Sequence, residues 1–274
     1  MDEHIIEAIG KTPVKIRDGK VVEVGESEID YCPLFHKYHN MKKITSDAVK
    51  ANIQYRIDDF GMCTGNRQIR MKDFLNFGIS EILCTLLEEN IIDCVVMVCE
   101  GCGTVIIDDA EMVQGIGGRV SGLVKTSPIP ELIEKIGKER VVDSDNANIN
   151  QLEGIKKSIS LGYRNIAVTL AGYLDTSSIE SKYPELNVYK FAVHTTGLSE
   201  DEALEIVESC DVVTACASKY IRELCESRAI FSVGEEIPIY ALTGEGELFL
   251  RLRLDKIGGP KPPKSNPRFP DPLI

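Results

Sequence analysis

From residue 140 onward the chain keeps one rhythm, and that rhythm limits its folds more than any other feature. Short apolar runs, RVVD, NIAVTL, NVYKFAV and DVVTAC, alternate with helix-like stretches at 150–161, 175–183, 199–209 and 217–227. Strand–helix–strand alternation at this spacing predicts an α/β fold with a mostly parallel, doubly wound sheet in the C-terminal half. Parallel strands read as nearly continuous apolar runs because helices cover both faces of the sheet. Open sheets of this kind bind ligands beyond the carboxyl ends of their strands. Here those ends carry Asp143-Ser144, Thr169 to Gly172, His194-Thr195-Thr196-Gly197, and Cys216. His194 is a candidate acid, base or ligand. Cys216 stands where a strand meets a helix, whose dipole would favour its thiolate. Each residue taken alone also reads as a helix cap or as packing. Their recurrence at four successive strand ends marks a pocket, with His194 and Cys216 as candidate catalytic residues.

The N-terminal half is built differently. VKIRDGKVVEVG (14–25) alternates on either side of Asp18-Gly19 and predicts a hairpin with a two-residue turn. YCPLFHKYHN (31–40) reads as a loop, with Pro33 holding Cys32 extended. Thr45 caps a helix bearing Val49, Ile53, Ile57 and Phe60 on one face, stopped at Gly61. GMCTGN (61–66) links it to a second helix over about 68–89, striped with Met71, Phe74, Leu75, Ile79, Ile82, Leu83, Leu86 and Leu87. A strand at about 93–99 runs into the turn CEGCG, and Pro128 and Pro130 open a further helix. IPIYALTGEGELFLRLRL (237–254) reads as an antiparallel hairpin turning at Gly244-Glu245-Gly246. The last stretch holds six of the twelve prolines, which exclude helix and central strand, so it wraps the surface or docks a partner. The chain thus divides into a cysteine-bearing region (1–125), an α/β region packed against it (126–258) and a Pro-rich tail (259–274).

Nine cysteines punctuate these elements. Cys84 and Cys225 fall inside helices, Cys94 in a strand and Cys210 at a helix end, where a thiol is a small buried hydrophobe. Cys32, Cys63, Cys99 and Cys102 fall in loops or turns beside Pro33, Gly61, Gly101 and Gly103. Four thiolates from such loops suit a [4Fe–4S] cluster or a structural zinc, with Gly101 and Gly103 letting backbone amides approach the sulfurs. Two rivals use the same residues. His36, four positions after Cys32, would complete a zinc site with Cys32, Cys99 and Cys102. Cys99 and Cys102 alone would make a dithiol–disulfide pair, although an extended run follows them and not a thiol-activating helix. QGIGGRVSG (114–122) departs from the dinucleotide pattern at Val120. It reads as a tight, closely packed turn or as a phosphate cradle in which Gly117, Gly118 and Arg119 hold the anion.

The formal charge of −12 is spread along the chain, with 15 basic against 22 acidic residues over 1–137 and 16 against 21 after it. No basic face is available for nucleic acid or an anionic membrane. The acidic start MDEHIIEAIG is not a signal peptide, and no apolar run approaches a membrane span, so a cytoplasmic setting with reduced thiols is expected.

YCPLFHKY, IDDFGMCTGNR, IIDCVVMVCEGCGTVI and GIGGRVSGLVKTSPIPE together resemble methanogenesis marker protein 8, an archaeal family typical of methanogens. The likeness runs nearly the full length and is densest over 31–130. It implies a cytoplasmic protein associated with methanogenesis, in an oxygen-free cell where iron–sulfur is favoured over zinc. By analogy with related marker proteins, it implies maturation factors of methyl-coenzyme M reductase as partners. The expected function is therefore a metal-binding, iron–sulfur accessory protein for electron transfer or enzyme maturation. The alternatives are an enzyme acting on a small anionic substrate at the strand-end pocket, with Arg119 as anion contact, and a zinc-stabilised interaction protein.

Overall fold

The computed structural model describes residues 2–73, 77–120, 122–262 and 264–274. Its chain builds two sheets. The smaller holds β1 (Glu3–Glu7), β2 (Pro13–Arg17), β3 (Lys20–Val24) and β6 (Gly122–Thr126), all antiparallel, in the order β3-β2-β1-β6. The hairpin expected at Asp18-Gly19 joins β2 to β3, and both turn residues have positive φ, +46° and +70°. The larger sheet has the order β10-β11-β9-β8-β7-β4-β5. Its strands are β4 (Cys94–Cys99), β5 (Gly103–Ile107), β7 (Asn165–Leu170), β8 (Asn187–Ala192), β9 (Val212–Thr214), β10 (Phe231–Val233) and β11 (Ile239–Ala241).

Only β4, β7, β8 and β9 run parallel; β5 on one side and β11 and β10 on the other are antiparallel. The sheet is therefore mixed, and its parallel strands follow chain order with no reversal. The crossover helices α6 (Gln151–Ser160), α7 (Ser177–Lys182) and α8 (Glu200–Ser209) consequently share one face with α9 (Lys219–Arg228), around Val96, Ile166 and Val168. The opposite face, around Val95, Met97 and Ala167, is covered by α3 (Ile79–Glu88), α4 (Ala110–Gly117), α5 (Pro130–Ile136) and α10 (Gly244–Lys256). Alternate residues of one strand thus feed two cores, as the two-residue strand period requires. A third core lies between the small sheet and α2 (Ser46–Phe60), which carries Val49, Ile53, Ile57 and Phe60 inward as expected. Thr45 caps α2 by accepting the Ala48 amide, and Gly61 ends it at φ +76°.

Four expectations change. Residues 33–39 form α1 (Pro33–His39), because Pro33 at the first turn supplies the φ a helix start needs. The long second helix shortens to α3: 68–73 lie outside any helix, and Phe74 and Leu75 lie outside the described residues. The backbone at Ile69 presses on α4 where Gly115 has no side chain; a Cβ there would meet the Ile69 carbonyl at 2.2 Å. RVVD makes only an isolated bridge, Val105 to Val141, because Arg140 is drawn to Asp108. Residues 244–256 are the helix α10, capped by Thr243, not the return strand of a hairpin. The Pro-rich tail wraps the surface: Asp271 bridges to Tyr31, and the Ile274 amide donates to the Ala217 carbonyl.

Candidate functional site

A cavity of about 1170 Å³ opens at the carboxyl ends of β7, β8 and β9 and extends beneath the small sheet. It is lined at the strand ends by Thr169 to Leu174, by Val193, His194 and Thr196, and by Thr214, Cys216 and Ala217. The loops are stitched to one another. Thr195 Oγ1 donates to the Thr214 carbonyl at 2.6 Å, and Arg222 Nη2 donates to the Cys216 and Glu236 carbonyls at 2.7 and 2.8 Å. Gln151 accepts from Thr104 Oγ1 and donates to the Thr169 carbonyl. The anticipated Asp143-Ser144 edge is absent from the lining, since 140–143 is not a strand of the sheet. Asp143 instead collects amides from Asn146 and Asn148 in a surface turn, and these bonds hold its carboxyl below the usual range.

His194 meets Glu7, the last residue of β1, with Nε2 2.8 Å from Oε2. Glu7 pairs in register with Gly122 on β6, and the imidazole lies over Gly122. A Cβ at Gly122 would stand 2.8 Å from Nε2, so glycine makes room for the ring. The contact joins the two sheets across the cavity, and sequence reasoning missed Glu7 because nothing local links it to residue 194. A carboxylate only accepts hydrogen bonds, so the pair fixes the Nε2–H tautomer and leaves Nδ1 as the ring's acceptor.

Cys216 reaches the cavity, but its chemistry differs from the expectation. Ser218 caps α9, its hydroxyl accepting the Ile221 amide, and Cys216 stands before that cap with φ +44°. Burial pushes its thiol up, against hydrogen bonds from Thr195. Cys32, which also lines the cavity at the cap of α1, is raised as well, first by burial and further by Cys216 and Glu236. Both cavity thiols are therefore neutral at pH 7 and are poor nucleophiles in the resting state.

Of the four cysteines expected to form a metal site, two line separate pockets. Cys32 faces the large cavity, and Cys63 lines a second pocket of about 330 Å³ with Asp2 and Asp18. Cys99 and Cys102 remain together in the β4–β5 turn, where the Cys102 amide donates to the Cys99 carbonyl. Contact with Cys102, and then burial, raise the Cys99 thiol well above its ordinary value; burial does the same to Cys63, helped by Glu100 and Asp2. His36 bonds to the Tyr31 hydroxyl at 3.1 Å. Among the described residues no three His, Cys, Asp or Glu side chains converge as a ligand set. Gly101 and Gly103, at φ +82° and +70°, pack against Ile129 and the Ala147–Asn148 backbone.

The first part of the glycine-rich segment, 114–118, proves to be the end of α4, and Gly122 opens β6. Gly117 and Gly118 line the cavity, but at a helix C-terminus the unpaired groups are carbonyls, not the amides an anion needs. Arg119 stacks on Phe60, its Cζ 4.6 Å from the ring centroid, and its carbonyl accepts from Arg56. Arg56, which the sequence did not single out, reaches the cavity wall. Burial lowers its pKa to about 10, so it stays charged at neutral pH.

Sequence reasoning also missed the most buried charges. Arg67 donates from Nε to Glu100 Oε1 at 2.6 Å and from Nη1 to the Gln68 carbonyl at 2.6 Å, with both side chains at most 1% exposed. This pair pins the Cys99–Cys102 turn to the 61–67 loop. Among the described residues Glu100 Oε2 has no hydrogen-bond partner.

Fold and site define a class: an α/β protein of two sheets, with a strand-end cleft closed from the other side by the smaller sheet. The chain belongs to a family described as uncharacterized proteins conserved in archaea (DUF2099), whose model matches residues 4–255. It is 43% identical to the uncharacterized protein MJ0054 of Methanocaldococcus jannaschii over 283 residues, covering 100% of both chains. No solved structure matches. Among the described residues no helix is long and apolar enough to cross a membrane.

Proposed function

We propose that the chain binds an anionic organic molecule in the strand-end cleft and performs acid–base chemistry on it through His194 and Glu7. One observation carries the reading: an imidazole and a carboxylate from different sheets meet at 2.8 Å inside a large cavity at the carboxyl ends of parallel strands. Glu7 orients the ring, and Nδ1 takes or returns the proton. Cys216 in a strained backbone conformation and the neutral Cys32 thiol flank the ligand and are not the nucleophile.

The test is a thermal-shift survey of carboxylates and phosphates, followed by turnover assays on whatever binds. A ligand at one hundred times its Kd stabilises by about 2.7 kcal/mol. With an unfolding entropy of about 0.58 kcal/mol/K for a chain this long, Tm rises by about 5 °C. His194→Asn should retain binding and lose turnover by at least about a hundredfold. Full turnover in that variant would remove the acid–base role.

The second reading is the iron–sulfur or zinc accessory role in methanogenesis, with methyl-coenzyme M reductase maturation factors as partners. The adjacency of Cys99 and Cys102 and the likeness to methanogenesis marker protein 8 support it. Its remaining ligands would have to come from a partner chain or a bound molecule. Metal and sulfide analysis of protein purified without oxygen decides it: metal lost in Cys99→Ser supports this reading, and metal-free protein rejects it.

A further inference from the structure

Residues 264–274 run along the cleft, and three ties hold them there. At the first, Lys264 pairs with Glu236, its amide donates to Glu235 Oε2 at 3.0 Å, and the Arg268 amide donates to Glu236 Oε1 at 3.1 Å. At the second, Tyr31 and Asp271 exchange backbone hydrogen bonds of 3.0 and 3.1 Å, and Arg268 Cζ lies 3.8 Å from the Tyr31 ring centroid. At the third, the Ile274 amide donates to the Ala217 carbonyl, and the Ile274 backbone oxygen accepts the Lys219 amide, both at 2.9 Å. Each tie ends on a wall of the cavity. Glu235 and Glu236 line it, as do Cys32 beside Tyr31 and Cys216 beside Ala217. Lys264 and Pro270 line it from the segment itself.

This segment is held differently from the sheets behind it. Of its residues only Pro270 is buried; Pro267 and Ile274 are half-buried, and the others are exposed, Phe269 at 46%. It forms no helix and no strand, only the single bridge at Asp271. Pro267, Pro270 and Pro272 have no amide hydrogen to donate. The Lys264–Glu236 pair and the Arg268–Tyr31 contact lie at the surface, where ion pairs contribute little and salt screens them. Segments with little buried apolar surface and solvent-reached hydrogen bonds open locally, at far lower free energy than the whole molecule. Detachment here breaks no strand pairing in either sheet, and the prolines keep the released segment extended.

We infer that residues 264–274 are a strap that gates the cleft: it detaches while both sheets stay folded, and its release opens the wall beside Cys216.

Two measurements on the full chain test this. Amide hydrogen exchange followed by NMR compares Tyr31, Asp271 and Ile274 with Ile166 and Val168 in β7, across urea concentrations below the unfolding transition. The strap amides should exchange faster than the β7 amides and nearly independently of urea, because opening the strap exposes little surface. Alkylation by iodoacetamide, mapped by peptide mass, then reports access to Cys216; the reagent is neutral, so altered charge does not steer it. Lys264→Ala/Arg268→Ala, at two exposed positions, should lower strap protection about tenfold, the combined worth of an exposed ion pair and a cation–π contact. Cys216 alkylation should speed up by the same factor, and protection of Ile166 and Val168 should match wild type. Raising salt should move wild type toward the double variant. Strap amides that share the rate and urea dependence of Ile166 and Val168 overturn independent opening. A double variant with lower strap protection and unchanged Cys216 alkylation overturns the gate.

Discussion

Replacing Arg67 with Met would remove the guanidinium and keep most of the aliphatic volume. The effect follows from what Arg67 touches. Its Nε bonds to Glu100 Oε1 at 2.6 Å, Nη1 to the Gln68 carbonyl at 2.6 Å and Nη2 to the Ile116 carbonyl at 3.4 Å, and its Cζ lies 4.8 Å from the Phe60 ring centroid. Burial opposes its charge, yet Glu100 and the neighbouring thiols outweigh that and raise its pKa. In Arg67→Met, Glu100 is a buried carboxylate with neither oxygen partnered among the described residues, since Oε2 has no such partner already. Breaking one side of a buried pair costs about 3–5 kcal/mol. At about 0.58 kcal/mol/K of unfolding entropy for 274 residues, Tm falls by about 5–9 °C. The stranded carboxyl should relieve itself by protonation. Its folded pKa then lies above the unfolded value near 4.3, so the penalty is small below about pH 4 and grows as pH rises. Removing both charges in Arg67→Met/Glu100→Leu should recover most of the loss. Calorimetric melts of wild type, both single variants and the double variant, at pH 5 and 8, measure this. A single variant within about 1 kcal/mol of wild type, or a double variant no better than Arg67→Met, would refute the account of this pair.

Three further outcomes are expected. Gly122→Ala places a methyl group against the His194 ring, so the His194–Glu7 contact should be lost; the His194 ring resonances in NMR spectra at one fixed pH should shift from wild type as they do in Glu7→Gln. Arg140, and secondarily Tyr163 at 2.6 Å, hold the Asp108 carboxyl below its usual range, so its contribution is present above about pH 4 and fades as pH falls through the depressed value; Asp108→Asn should cost about 1 kcal/mol at pH 7 and flatten acid unfolding below that point. Eight of the nine cysteines are buried and Cys216 is partly exposed with a raised pKa, so a thiol reagent at pH 7 should find at most one slow site in folded protein and nine in denaturant; rapid reaction of Cys99 or Cys102 would contradict the closed turn.

The readable parts of this fold are those where neighbouring residues decide the outcome. Asp18-Gly19 announces its hairpin because few other residues accept two positive φ values in succession, and Thr45 and Gly61 bracket α2 by their own hydrogen bonds. α10 was misread for a physical reason. In ELFLRLRL the leucines alternate, as a strand would, and the buried positions Phe249, Leu250, Arg253 and Leu254 show helical spacing only if Arg253 is counted as interior. It is fully buried, because Asp73 neutralises it with a bond of 2.6 Å. Thr243, with Glu245 and Glu247 in the first turn, was the available signal. His194 was legible from its place after a parallel strand. Glu7, Arg56 and the Arg67–Glu100 pair were not, since their partners lie far away in sequence and a charged residue beside a glycine resembles any surface loop.

The order in which the chain visits its two sheets has a consequence for how the molecule can come apart. β1 to β3 start the small sheet, β4 and β5 start the large one, β6 returns to pair with β1, and β7 onward completes the large sheet. No contiguous fragment therefore contains one sheet whole without strands of the other. Pairing β1 with β6 closes a loop of more than a hundred residues that already includes the first strands of the other sheet, which favours slow, concerted folding. Amide hydrogens of the two sheets should exchange as one cooperative unit, and a molecule bound in the cleft beside the Glu7–His194 pair should slow exchange on both at once.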